Sequence, residues 1–515
     1  MHRDNRRIFR RHTWPILVLT LTVLAGCTPT ARAPAPKRSP SPAASLPVPP
    51  ALAWTSCQGG KFQCATLTVP ADYANPTAGT MGVALVRAVA KDQAHRIGSL
   101  LTDPGGPGGS GIDFVTGTAD TVLGRYRDRF DIVGFDPRGS GKSQPIHCLD
   151  SAATEQYLEV DQVPDDATER QALVTAHKQY AAACQANTPR LLSVLAADVV
   201  ARDMEEMRVA LGDAKLTFMG LSYGSLLGAT YAELFPTKVR ALDLDGVVDP
   251  AQDIEGFIRG QAIGYDDALN RFLASCVRAP CAFNADGQGR QKLDAITASV
   301  DRAPMKAGTR SIGPGGMAYA VAEGLTSPTR WNTLAQALAL AGSGDGRGLL
   351  FLFDSYAQRN PDGTYSNLID IYNAVTCTDR PAPRRIEDFD KIAADLKATA
   401  PYFGASTTYA SLPCLYWPVT PTGRAHAIAA AGAPPILVVG GTHDPATPYA
   451  WAKALAGELQ TGRLLTREGD GHVSLGKSQC IDDAVAAYLL DLVVPSPRTV
   501  CGAVTPSGQP SALAA

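Results

Sequence analysis

Histidine is scarce in this chain, with eight in 515 residues, and the shortage narrows any search for a general base. Net charge is nearly absent as well. Lys and Arg total 47 against 49 Asp and Glu, leaving −2 and no sign of nucleic acid as a partner. The apolar run at the N-terminus, Ile16 to Ala25, is too short to cross a bilayer as a mature helix. No proline-rich stretch interrupts the chain between residues 251 and 430, so composition marks no second, independent domain there. What the chain has is length, enough for a large core and for an insertion beyond one compact domain.

Residues 1–26 carry five arginines ahead of that apolar run, and Leu24-Ala25-Gly26-Cys27 follows. A basic segment, an apolar segment and small residues before a cut make a secretion signal. The L-A-G-C ending resembles the bacterial lipobox, in which Cys27 is diacylated and becomes the first residue. An ordinary signal peptide with an incidental cysteine is the alternative, and the arginine pairs Arg6-Arg7 and Arg10-Arg11 leave a twin-arginine route open. Residues 27–50 hold eight prolines among Ala, Ser and basic side chains, and read as an extended tether between anchor and folded protein. Loss of residues 1–26 removes five arginines and one aspartate, which brings the net charge to −6.

Eleven cysteines less Cys27 leave ten, an even number in an exported chain, which favours disulfides over metal sites or free thiols. Spacing favours neighbours: Cys57 with Cys64, Cys148 with Cys184, Cys276 with Cys281, Cys377 with Cys414, and Cys480 with Cys501. No metal or cofactor is expected.

From Cys64 to Phe135 the sequence is rich in strands, broken by two glycine turns, 103–111 and 136–141. Helical periodicity covers 167–185 and 196–211, and a further strand covers 239–244. Strands alternating with helices imply a mostly parallel sheet covered on both faces. The alternation stops between 251 and 430, where apolar faces such as Tyr265, Leu269, Phe272 and Leu273 repeat with helical period. It resumes at 435–439 and 463–466. The expected organisation is an α/β core in two parts, 51–250 and 431–515, with a helical cap at 251–430.

The stretch that organises the chain is Lys215 to Leu227, KLTFMGLSYGSLL. Gly220-Leu221-Ser222-Tyr223-Gly224 matches G-x-S-x-G between an apolar strand and a helix, the context in which a strained turn exposes a nucleophilic serine. A serine needs a base, and the base an orienting carboxylate. Two histidines leave with the signal and three precede the serine, so His426, His443 and His472 remain. Asp444 and His472 each follow one of two consecutive strands, so both loops open on one sheet edge near Ser222. The order Ser…Asp…His is that of α/β-hydrolases. His443 as base and Asp470 as acid stay open as substitutes. Gly105-Gly106-Pro107-Gly108-Gly109 leaves bare N–H groups that would face an oxyanion, with the N–H of Tyr223 as second donor. The same letters fit G-x-G-x-x-G at Gly106, Gly108 and Gly111, with Asp131 twenty residues on, a dinucleotide reading that would make Ser222, Asp444 and His472 coincidences.

The motifs GGPG at 105–108, DPRGSG at 136–141, GLSYGS at 220–225 and GTHDPATP at 441–448 resemble the prolyl-aminopeptidase branch of the α/β-hydrolases. Within it the chain is most similar to the secreted tripeptidyl aminopeptidases of actinobacteria and their lipoprotein relatives, over about residues 51 to 505. The resemblance implies an α/β-hydrolase fold and a serine exopeptidase that removes short peptides from free N-termini. It places the nucleophile on Ser222, the acid on Asp444, the base on His472 and the first oxyanion donor on Gly106. Pro104 stands where histidine commonly precedes GGPG in that branch. An envelope carboxylesterase or lipase with the same triad, and a non-catalytic protein on the scaffold, are the competing functions. The oligomeric state is not legible. An exopeptidase must also recognise a free α-ammonium, and position singles out Asp249, just past the 239–244 strand, and Asp379, beside Cys377, for that task. A turn-capping role for Asp249 and a solvated loop for Asp379 are the alternatives.

Overall fold

The computed structural model describes residues 49–502. The signal-like segment, Cys27 and all but the last two residues of the tether lie outside the described residues. Among those described, no helix is long and apolar enough to cross a membrane.

Ten strands form one sheet. They are β1 (Thr55–Cys57), β2 (Phe62–Pro70), β3 (Thr80–Ala88), β4 (Gly98–Asp103), β5 (Phe130–Phe135), β6 (Leu216–Leu221), β7 (Val239–Asp245), β10 (Ile436–His443), β11 (Gly462–Asp470) and β12 (Thr499–Cys501). A separate hairpin pairs β8 (Met305–Ala307) with β9 (Arg310–Ile312). The sheet order is β1-β2-β3-β5-β4-β6-β7-β10-β11-β12. The pairings from β1 through β3 to β5 are antiparallel, and every pairing from β5 to β12 is parallel. β4, β5 and β6 are buried at all six positions, as strands covered on both faces must be. β5 lies on one side of β4 and β6 on the other. The order therefore reverses there and opens a crevice beyond the strands' carboxyl ends.

Helices α1 (Gly111–Thr118) and α15 (Gln479–Asp491) cover one face, and α4 (Ala197–Ala210), α5 (Tyr223–Leu234) and α14 (Tyr449–Glu458) the other. Ile112, Val115, Val485 and Leu489 fill the first core, and Met204, Leu227, Leu244 and Val438 the second. The second core runs without a break into the helices that follow β7. Those are α6 (Ile254–Arg278), α7 (Gly289–Arg302), α8 (Pro314–Leu325), α9 (Trp331–Gly342), α10 (Arg347–Tyr356) and α11 (Leu368–Asp379), while α12 (Ile386–Leu396) and α13 (Gly404–Ala410) close a third core against Ile254 and Ile258 of α6. Two earlier helices, α2 (Ser151–Leu158) and α3 (Ala167–Asn187), are tied to the same layer. Arg310 pairs with Glu155 at 2.8 Å, Arg170 with Asp390 at 2.6 Å, and the Tyr180 hydroxyl donates to Asp370 at 2.9 Å. The β8–β9 hairpin was not expected in a helical stretch. Its strands are three residues long and turn at Gly308, too short for alternation to register.

Five bridges join Cys57–Cys64, Cys148–Cys184, Cys276–Cys281, Cys377–Cys414 and Cys480–Cys501. Cys377–Cys414 fixes the end of α11, and Cys480–Cys501 ties α15 to the edge strand β12.

Candidate active site

β6 ends at Leu221 and α5 begins at Tyr223, so Ser222 alone makes the turn, with φ 54° and ψ −120°. A serine in that region is strained, and the surroundings hold it there. Its N–H donates to the Asp245 carbonyl at 2.8 Å, and its own carbonyl accepts from Ser225 N and Oγ. The flanking glycines are required by contact. A Cβ on Gly220 would lie 2.2 Å from the Gly224 carbonyl oxygen, and one on Gly224 would lie 2.6 Å from that of Asp103. The loop after β4 is pressed against the same turn, since a Cβ on Gly105 would sit 2.8 Å from both Ser222 Cβ and Tyr223 N. Tyr223 N–H belongs to the first turn of α5 and has no intrahelical acceptor. Neither it nor Gly106 N–H is spent in the backbone bonds that close these turns. Two free donors beside a strained serine are what acyl transfer needs for its oxyanion.

Asp444 follows β10, and His472 follows β11. His472 Nδ1 lies 2.8 and 2.9 Å from the two Asp444 oxygens, with Thr447 Oγ1 at 3.3 Å. Asp444 also accepts from the N–H groups of Ala446, Thr447 and Val473 at 2.9–3.0 Å. Burial alone would raise its pKa, but the imidazole and these N–H groups outweigh it and hold the carboxyl below its ordinary value. With Nδ1 occupied, Nε2 is the nitrogen left for the cavity that His472 and Ser222 both line.

The His472 loop is held from several sides. Asp245 accepts from Ser474 N and Leu475 N, and Arg467 donates to the carbonyls of Asp470 and Gly471. His472 N–H donates 2.8 Å to the Thr326 carbonyl, at the end of α8. Lys477 Nζ bonds the His472 carbonyl, and burial pushes this lysine down to about 8.

The shared cavity has a volume of about 670 Å³. Pro104, Gly106, Ser222, His472 and Val473 form its sheet side, while α6, α8, α10 and α11 contribute Gln261, Tyr265, Tyr319, Glu323, Tyr356, Tyr372 and Asn373. Glu323 is the one carboxylate lining it among the described residues. Its Oε1 accepts from Ser355 Oγ and pairs with Arg330, both at 2.8 Å. Sequence reasoning missed Glu323, because nothing along the chain says which helical carboxylate faces inward.

The other candidates are placed elsewhere. Asp249 bonds Ala251 N and Gln252 Nε2 in its own turn, and does not line the cavity. Asp379 is 7 % exposed and so is no solvated loop charge. It accepts from Ala197 N and from the Tyr223 hydroxyl at 2.7 Å, again outside the cavity. The reading of this pair as the amine site is corrected on that ground. His443 pairs with Asp267 at 2.9 Å, and the Asp470 carboxylate is taken by Arg271. His426 is exposed and pairs with Glu233. Asp131 sits near the start of β5, bonded to Ala90 N and Arg96. It lies at the strand end opposite the glycine loop, so it cannot serve a ribose there. Two acidic groups, Asp161/Glu169/Asp301 and Asp165/Asp166/Glu169, have carboxylates close enough to share a cation, and none of these lines the cavity.

Asp103 ends β4 behind the serine turn, 1 % exposed, donated to only by Gly105 N. Burial, with the nearby Asp136 charge adding, pushes its pKa up to about 7 from 3.8. The folded state therefore binds a proton that the unfolded state has lost between those values. Stability from this residue is present below pH ~4 and lost as pH rises towards ~7. Asp103→Asn is expected to flatten the fall in urea midpoint between about pH 4 and 7. An equally steep fall in the variant would remove Asp103 as its source.

Two family models match the chain, one for the alpha/beta hydrolase fold over residues 100–286 and one described as TAP-like protein over residues 400–501. Serine protease Hip1 of Mycobacterium tuberculosis is 36 % identical across 95 % of this chain and 97 % of its own length. Carboxylesterase B of the same organism is 36 % identical across 96 % and 99 %. The tripeptidyl aminopeptidase of Streptomyces coelicolor is 30 % identical across 83 % and 81 %.

Proposed function

The chain belongs to the tripeptidyl aminopeptidase-like family of α/β-hydrolase serine hydrolases, and on that premise we propose that it is an exported aminopeptidase releasing short peptides from free N-termini. Ser222 Oγ attacks the scissile carbonyl while His472 Nε2 takes its proton, and Asp444 orients the imidazole and stabilises its charge. The N–H groups of Gly106 and Tyr223 receive the oxyanion. His472 then gives the proton to the leaving amine, and water enters by the same path to free the acylated serine.

The observation that carries a peptidase over an esterase is Glu323 in the same cavity as Ser222, where a substrate ammonium would share the carboxylate with Arg330. A substrate ammonium drawn out of water towards a carboxylate is attracted strongly, and acylation of the amine removes the attraction. The volume of about 670 Å³ suits a short peptide. Glu323→Gln is expected to cut kcat/KM for free-amine tripeptides by roughly one to three orders of magnitude, about 1.4–4 kcal/mol. Hydrolysis of a small uncharged ester should stay the same. Equal losses on both substrates would mean that the substitution damaged the serine machinery.

Carboxylesterase B shares the same 36 % identity with this chain as Hip1 does, which keeps an acyl-ester substrate as the second reading. A panel of free tripeptidyl, N-blocked tripeptidyl and fatty-acyl chromogenic substrates separates the two. Preference for the fatty-acyl ester, or indifference to blocking, would reject the aminopeptidase. Five disulfides fit an exported protein. Attachment to the outer face of the membrane through diacylated Cys27 is the finer proposal. The mass of the mature N-terminus tests it, and an unmodified terminus downstream of Cys27 would reject it.

A further inference from the structure

Four arginines are buried among the described residues: Arg138, Arg208, Arg380 and Arg467. Three have partners. Arg138 is bonded to Asp203, Arg208 to Glu205, and Arg467 to Ser474 and two carbonyls. Arg380 is the exception. It is 4 % exposed, its guanidinium lies over the Phe257 ring at 4.5 Å, and its Nε is buried with no acceptor. No side-chain hydrogen bond or ion pair of Arg380 occurs among the described residues. The neighbouring Asp379 directs its oxygens to Ala197 N and the Tyr223 hydroxyl instead. A guanidinium always carries its charge and presents five N–H donors, so burying one without an acceptor is costly unless something else supplies it.

The space for an acceptor is present. Arg380 lines a cavity of about 240 Å³ that shares no lining residue with the one at Ser222. The N-terminus of α4 borders it through Ala197 and Asp198, with the Ala197 N–H already taken by the Asp379 carboxylate. Leu226, Pro250 and Ile428 make an apolar part of the remaining wall, Thr230, Gln252, Thr422 and the hydrogen-bonded Asp379 a polar part, and exposed Arg424, Ala425 and His426 form one border. A buried cation beside an apolar wall of this size matches a negatively charged head with a short hydrocarbon tail.

We infer that this cavity is a binding site for a short-chain aliphatic monocarboxylate, with the carboxylate on the Arg380 guanidinium and the hydrocarbon against Leu226, Pro250 and Ile428. The bond between an arginine and a carboxylate is planar and charge-assisted, and the stacked Phe257 leaves the guanidinium edge free to make it. The site is one residue from the serine turn, since Asp379 lines it and accepts from the Tyr223 hydroxyl.

Titration calorimetry of the mature protein with butyrate at neutral pH, in a chloride-free buffer, tests the assignment. One saturable site is expected. Arg380→Met removes the guanidinium while keeping an unbranched side chain, and should weaken binding by about tenfold or more. Ala425→Phe, on the exposed border, should block the cavity while leaving Arg380 in place, and it carries the test if Arg380→Met does not fold. Butyrate should also raise the melting temperature of the wild type and leave that of Arg380→Met unmoved. Undiminished binding in both variants would put butyrate elsewhere, the Ser222 cavity included, and overturn the proposal. Absence of saturable binding in the wild type would overturn it too. Chloride binding as tightly as butyrate would make this an inorganic-anion site and reject the carboxylate.

Discussion

Ser222→Ala is expected to lower kcat by about 10⁶ and to leave the melting curve unchanged. The size follows from the chemistry, because nucleophile, base and acid act as one unit and loss of the nucleophile removes the covalent route entirely. The unchanged stability follows from the local structure. The bonds that hold the turn run from the Ser222 main chain to Asp245 and Ser225, and alanine keeps all of them. Alanine also keeps a Cβ, so the strained φ of 54° costs the variant no more than the wild type. Residual turnover above about a hundredth of wild type in a pure preparation would reject Ser222 as nucleophile. A fluorophosphonate label on a different serine would do so independently. Asp444→Asn should be the mildest of the three lesions, because the serine and the imidazole remain.

Arg138→Met is expected to cost about 3–5 kcal/mol of stability with little change in the substrate cavity. Arg138 follows β5 in the Asp136-Pro-Arg138-Gly turn and is fully buried, with Nε and Nη2 on Asp203 at 2.7 and 2.5 Å. Its Nη1 donates to the Ala71 carbonyl at 3.0 Å, and the Tyr73 hydroxyl also reaches Asp203. The pair thus joins the β5 turn, α4 and the segment after β2. Removal of the guanidinium strands a buried carboxylate with one phenol donor, which is the expensive half of breaking such a pair. The double variant Arg138→Met/Asp203→Leu removes both charges and should recover most of the loss. Urea denaturation of the two single variants and the double completes the cycle. A double variant no better than Arg138→Met would mean that the pair's worth lies in its carbonyl bonds and packing.

The parallel half of the sheet is legible because β4, β5 and β6 each hold a short apolar centre and each is closed by a glycine turn. Edge strands β1 and β12 are not, since three residues give no pattern to count. The candidate site divides in the same way. Ser222, Asp444 and His472 belong to turns at strand ends, and strand ends in a parallel sheet share an edge, so chain position alone predicts that they meet. Asp249 and Asp379 stand near such features in sequence. Nearness does not say which side of the Ser222–Tyr223 turn a carboxylate occupies. Asp379 meets the Tyr223 ring's hydroxyl, while the cavity is on the Ser222 side, so the two are separated by the turn itself. Glu323 was beyond reach for the opposite reason. Its place is set by how α8 packs over the sheet, a long-range fact that no local pattern encodes.

The bond from His472 N–H to the Thr326 carbonyl has a mechanical consequence. α8 supplies both the roof of the substrate chamber, through Tyr319 and Glu323, and the far anchor of the loop that carries the imidazole. A shift of the C-terminal end of α8 would therefore be felt in two places at once, at the chamber wall and at the loop that carries the imidazole.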